Sequence, residues 1–127
     1  MYQVYWDLPG YVLSLKLIDI VTLEEFIEIN HLITSYLSTT ITRMVIVIDI
    51  TAAKHMPFPS EEIKASQVYM QHPMLRSLLV LGKNKLLRLT LLLTFSLGRA
   101  SLQFFDSNEQ LDRYLQMHKL KQQESTI

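Results

Sequence analysis

Apolar and polar positions alternate near the start of the chain, recur at three-to-four spacing in its longer middle and final segments, and run uninterrupted in two short stretches. Tyr2 to Trp6 and Tyr11 to Ile18 read as two strands flanking a turn centred on Pro9-Gly10. Proline presets the first φ of a type II turn, and glycine accepts the positive second one. In the second strand Leu13, Leu15 and Leu17 alternate with Ser14 and Lys16, which predicts one buried and one more open face. Thr22-Leu23-Glu24-Glu25 matches a capping box. From there Phe26, Ile29, Ile33 and Tyr36 keep helical spacing up to a break at Ser38-Thr39-Thr40.

Met44 to Ile48 is a run of five apolar residues, mostly β-branched, as expected of an interior parallel strand covered on both faces. Leu78 to Leu81 is a second such run, and the two are predicted to lie next to, or nearly next to, each other. Between them Ser60-Glu61-Glu62 opens a helix and Pro73 closes that region. Gly82-Lys83-Asn84 reads as a turn with Asn84 as a cap, and Lys85 to Leu97 as a helix ending at Gly98 in the left-handed conformation. Ser101 to Phe105 is the last strand. Ser107-Asn108-Glu109-Gln110 is a second capping box, opening a helix through Leu111, Tyr114, Leu115 and His118, with a frayed tail over 122–127. The order β-β-α-β-α-β-α-β-α predicts one α/β domain over residues 1–121, with a mixed, mostly parallel five-stranded sheet.

Composition narrows the function. Lys+Arg and Asp+Glu number 12 each, so no net field favours nucleic acid or an anionic membrane, and no local basic patch stands out. With no cysteine, disulfides, thiol catalysis and Cys-ligated metal are excluded, which fits a reducing compartment. The opening MYQVYWDLPGY lacks the basic flank and apolar core of a secretion signal, so a cytoplasmic location is expected. Leu86 to Leu97 contains Arg88 and falls short of the roughly 20 residues that cross a bilayer, so it reads as a buried helix without membrane insertion.

Trp6 on the first strand, Thr22-Leu23-Glu24-Glu25 opening the first helix, Ile48-Asp49 ending the third strand and Phe105-Asp106-Ser107 before the last helix, taken with the element order, resemble the STAS domain. This is the SpoIIAA-like fold of the anti-sigma-factor antagonists, and the resemblance covers residues 1 to about 119, closest to uncharacterised stand-alone bacterial members. In such antagonists the loop after the third strand presents a Ser or Thr, in an Asp-Ser/Thr-Ser/Thr-Gly pattern, that a partner kinase phosphorylates. Here Asp49 and Thr51 match, while the second hydroxyl and the glycine are absent and Met56-Pro57-Phe58-Pro59 lengthens the loop. The resemblance implies a regulatory protein-interaction domain with Thr51 or Ser60 as candidate phosphorylation sites.

The segment from Thr51 to Ser60 occupies the place where α/β sheets put their ligand sites, outside the carboxyl end of a parallel strand. Two readings stand. In one, Lys54, His55, the Thr51 hydroxyl and the free N–H groups after Ser60 hold an anion, or the segment with Asp49 contacts a partner, and Met56 with Phe58 forms an exposed apolar pair stiffened by prolines. In the other, Asp49 caps local backbone and the segment is a solvated connection. His55 and His72 lack metal-ligand spacing, His31 and His118 fit helix faces, and neither metal nor cofactor is implied. Ser96-Leu97-Gly98 and Ser14-Leu15-Lys16 are not nucleophile elbows, no paired glycines cradle phosphates, and Glu24-Glu25 and Glu61-Glu62 diverge around their helices, so the chain reads as a non-enzyme.

The third helix is richer in leucine than one sheet contact needs. Leu86, Leu89, Leu92 and Leu93 mark a face expected to be covered by the neighbouring helix, by a second copy of the chain or by an apolar ligand. The leading expectation is therefore a non-catalytic regulatory domain with an unidentified protein partner, and the alternative a carrier or sensor of a small apolar, lipid-like molecule lodged between this helix and the sheet.

Overall fold

Strand β1 (Tyr2–Leu8) turns back into β2 (Val12–Ile20) at the predicted hairpin. The Tyr11 N–H donates to the Leu8 carbonyl at 3.0 Å, and Gly10 takes φ +81°, so Pro9-Gly10 forms the expected turn. The remaining elements of the computed structural model are α1 (Leu23–Thr39), β3 (Met44–His55), α2 (Glu61–Ser66), a 3₁₀ turn (Val68–Gln71), β4 (Leu75–Leu81), α3 (Lys85–Thr94), β5 (Ser101–Phe105) and α4 (Asn108–Ser125). Described are residues 1–95 and 101–125, of which 118–125 by backbone alone. Gly98 and the end of the 122–127 tail lie outside the described residues, and so do the surroundings of the His118 side chain.

The strands lie in the order β1-β2-β3-β4-β5, with the first pair antiparallel and the other three parallel. β3 and β4 are interior neighbours, as their uninterrupted apolar runs predict. Strands added in one direction by right-handed crossovers place every crossover helix on the same face. Accordingly Leu13, Leu15, Ile46, Ile48, Leu78 and Val80 share one core with Phe26, Ile29 and Ile33 of α1, Ile63 of α2, Tyr69 of the 3₁₀ turn and Leu87 and Leu91 of α3. The opposite face carries Val12, Val45, Val47, Leu79 and Leu81, covered by Leu111 and Leu115 of α4. This is why β3 and β4 are apolar at successive positions: each face has its own helical cover. Ser14, expected on the open side of β2, is buried on that second face.

The helix starts follow the sequence. Thr22 Oγ1 accepts from the Glu25 N–H at 3.2 Å, while Glu25 Oε1 accepts from the Thr22 N–H at 3.1 Å. Asn84 Oδ1 accepts from the Leu87 N–H at 3.1 Å. At α4 the second box is shifted by one residue: Ser107 Oγ accepts from the Gln110 N–H, but Gln110 Oε1 reaches the Asp106 N–H rather than that of Ser107.

Several boundaries differ from expectation, among them the start of β4, at Leu75 rather than Leu78. β3 continues seven residues beyond Ile48, because β2 pairs with it through Ile18↔Ala52, Asp19↔Ala53 and Ile20↔His55. α3 ends at Thr94, capped at Phe95, rather than at Leu97.

Candidate functional site

Asp49 to Ser60 forms a strand end followed by a short connection, not one long loop. Thr51 to His55 belongs to β3, and the connection to α2 starts at Met56. The Thr51 N–H and hydroxyl both donate to Asp49 Oδ1, at 2.9 and 2.6 Å, so this carboxylate holds its own backbone two residues on. Lys54 Nζ sits 3.7 Å from Asp19 Oδ1, between two exposed side chains. The His55 carbonyl accepts from the Val21 N–H at 2.9 Å, tying the strand end to the start of α1. Ser60 Oγ accepts from the Ile63 N–H at 3.3 Å as the cap of α2.

The side chains of Asp49, Thr51, Lys54 and Ser60 therefore each have a local structural partner, and His55 is tied through its backbone carbonyl. The apolar pair also divides. Met56 is 3% exposed and packed in the α1–α3 core, whereas Phe58 is 70% exposed. Side chains two residues apart share a side in a regular extended strand, so the connection leaves strand geometry between them, and only Phe58 is open to a partner.

Helix α3 provides the larger exposed feature. Its sheet-facing residues are Leu87, Thr90, Leu91 and Thr94. The two threonines fit there because their hydroxyls donate back along the helix, Thr90 to the Leu86 carbonyl at 2.9 Å and Thr94 to the Thr90 carbonyl at 2.6 Å. Leu86, Leu89, Leu92 and Leu93 are 64, 51, 47 and 55% exposed. The helix is thus not buried as its composition predicts: its outer face is richer in leucine than its inner one. Leu86, Leu89 and Leu93 follow i, i+3, i+7 spacing and form a row, with Leu92 at its side.

Arg88 fixes this helix to the C-terminal end of the sheet, a role the sequence reading missed. Its Nε donates to the Gly82 carbonyl at 2.6 Å, its Nη2 reaches Asp106 Oδ1 at 2.6 Å, and its guanidinium lies 5.4 Å from the Phe104 ring centroid. The only sequence signal was a lone cation inside an apolar run. Beneath α3, the space lined by Leu15, Leu17, Phe26, Ile33, Tyr69 and Leu91 amounts to about 10 Å³, roughly one water, so the apolar ligand expected between α3 and the sheet has no room at that place. Among the described residues no three His, Cys, Asp or Glu gather as metal ligands, and no helix is long and apolar enough to cross a membrane.

These features define an α/β domain of the SpoIIAA-like fold, with a strand-end segment and an exposed leucine row following the carboxyl ends of adjacent strands. The chain is similar to the crystal structure of an uncharacterised DUF3478-family protein with a SpoIIAA-like fold from Shewanella loihica PV-4. The TM-score is 0.62 at 15% identity, over 91% of this chain and 92% of that one. It is also similar to the anti-sigma factor antagonist SpoIIAA in its unphosphorylated form, with a TM-score of 0.59 at 14% identity over 90% and 97% of the two chains. No family model and no curated protein matches. At these identities the likeness concerns the fold.

Proposed function

We propose that the protein is a non-catalytic regulatory domain of the cytoplasm that binds a protein partner through the outer face of α3, with exposed Phe58 as a further contact. One observation carries this reading: the face of α3 turned to solvent bears four leucines, while the face turned to the sheet accommodates two threonines. A helix selected only to cover a sheet has the reverse arrangement. Exposed apolar rows of this kind are characteristic of contact surfaces, where a few large side chains carry most of the affinity. The similarity to an anti-sigma factor antagonist supports a regulatory role on the same fold.

The partner is a protein with an apolar groove or helix face. A second copy of the chain is the other occupant that such a row fits. Thr51 and Ser60 are the phosphorylatable hydroxyls at this end of the sheet; both have structural bonds that a phosphate would replace.

The test compares affinity capture from native cells by the wild-type protein and by a Leu86→Asp/Leu89→Asp variant, with sedimentation of each. A partner retained by the wild type and lost by the variant, at unchanged unfolding temperature, supports the reading. A wild-type dimer that the variant returns to monomer assigns the row to self-association. Identical captures together with monomers in both cases would overturn the proposal.

A further inference from the structure

A cleft of about 230 Å³ opens at the N-terminal end of the parallel strands, the opposite end of the sheet from the 51–60 segment. Arg43, Gln71, His72 and Arg76 line it, with Met70 and Leu75 buried beneath. Two arginines and a histidine thus line one cleft, and no Asp or Glu is among its lining residues. Neither Arg43 nor Arg76 makes an ion pair or side-chain hydrogen bond among the described residues.

The surrounding backbone is pinned. The His72 N–H donates to the Tyr69 carbonyl at 2.9 Å, the Leu75 N–H to the His72 carbonyl at 3.1 Å, and the Met44 N–H to the Met74 carbonyl at 2.7 Å. His72 Nδ1 accepts from the Met74 N–H at 3.1 Å, so the neutral ring carries its proton on Nε2, which remains a donor. The β3–β4 ladder passes from Met44↔Leu75 to Val45↔Ser77, leaving Arg76 as an extra residue on its strand. Such a bulge re-aims a side chain out of the strand's alternation, and bulges recur beside functional sites.

We propose that this cleft binds the dianionic phosphate group of a small phosphorylated molecule. A guanidinium is a planar fork of donors that matches phosphate oxygens two at a time, and it stays charged at any physiological pH. Two such groups without a counter-charge repel each other, and a dianion between them reverses the sign of that interaction. The chain itself provides little alternative: residues 63–105 contain six Lys or Arg and no Asp or Glu. Fixed backbone on both sides confines the ordering cost of binding to the side chains. The volume lies below the roughly 300–1,000 Å³ of drug-sized sites, which suits a phosphate on a short carbon skeleton rather than a large ligand.

The experiment titrates inorganic phosphate and, separately, glycerol 3-phosphate into the isotope-labelled chain at constant ionic strength, with chloride as control, and follows backbone amide shifts. Saturable shifts at residues 43–45 and 71–77 are expected. An Arg43→Gln/Arg76→Gln variant should weaken binding by about tenfold or more, since a hydrogen bond to a charged group contributes about that much. Its unfolding temperature should equal or exceed that of the wild type, because the substitution removes repulsion. Should the double variant fail to fold, Arg43→Gln alone, at an exposed position, carries the same test with a smaller effect. Tighter binding of glycerol 3-phosphate identifies a phosphomonoester as the occupant, and equal binding identifies free phosphate; both support the site. Shifts that chloride reproduces, or that appear only around Ser60, would overturn it.

Discussion

Gly82 shows how a single position can link two elements. It closes β4 with φ +143°, and a Cβ there would lie 2.5 Å from Ile50 Cγ1 of β3. An L side chain meets both an unfavourable backbone and an occupied space, so Gly82→Ala should cost about 1–3 kcal/mol, read from denaturant unfolding. A loss below about 0.5 kcal/mol, the usual range for surface positions, would show that Ile50 moves aside freely. Glu25 gives a pH-dependent counterpart. The Met1 ammonium at 2.8 Å, and then the Thr22 backbone N–H, hold its carboxyl below the usual carboxylate range. A depressed folded value means that its stabilisation is present above the unfolded value of about 4.3 and is lost as pH falls through the folded one. The Glu25→Gln variant should therefore lose less unfolding temperature than the wild type between pH 5 and pH 3. Parallel curves would remove Glu25 from the acid response. Tyr2 moves oppositely, pushed up to about 12 by burial and by its hydrogen bond to Glu28, so its contribution fades only in strong alkali.

At the scale of elements, the two faces of α3 should respond differently to substitution. Leu91 is fully buried, and Leu91→Ala should cost about 2–5 kcal/mol through the cavity it leaves. Leu89→Asp, on the exposed face, should leave the unfolding midpoint within about 0.5 kcal/mol of the wild type. Equal losses at both positions would mean that the outer row is packed within the monomer. Much of the element pattern was legible in the sequence. The apolar runs Met44–Ile48 and Leu78–Leu81 required cover on both faces, and hydroxyl or amide caps marked the helix starts. What escaped depended on distant pairing. Apart from Ile50, residues 49–55 are polar or small and carry little strand signal of their own; β2 draws them into the sheet. Leu75 to Ser77 was missed because Arg76 interrupts the apolar run, and Arg76 is the bulged residue. Met56 and Phe58 look equivalent in sequence, and only the path of the chain separates a core residue from an exposed one.

For the molecule as a whole, an unequal division of cover follows from the strand order. Three crossover helices share one face, and α4 alone protects the other. Net charge was misleading at this scale: equal totals of acid and base hide residues 63–105, where every formal charge is positive. The sequence reading therefore found no basic patch, and Arg43, His72 and Arg76 converge only once β3 and β4 are paired. The proposed partner contact lies on the outer face of α3, and in-cell photo-crosslinking from position 89 tests that proposal most directly. With a photoreactive residue in place of Leu89, the account predicts a discrete heavier species containing a second polypeptide, absent when the probe replaces buried Leu91. A monomer band alone from position 89, with the protein folded and the probe active, would contradict it.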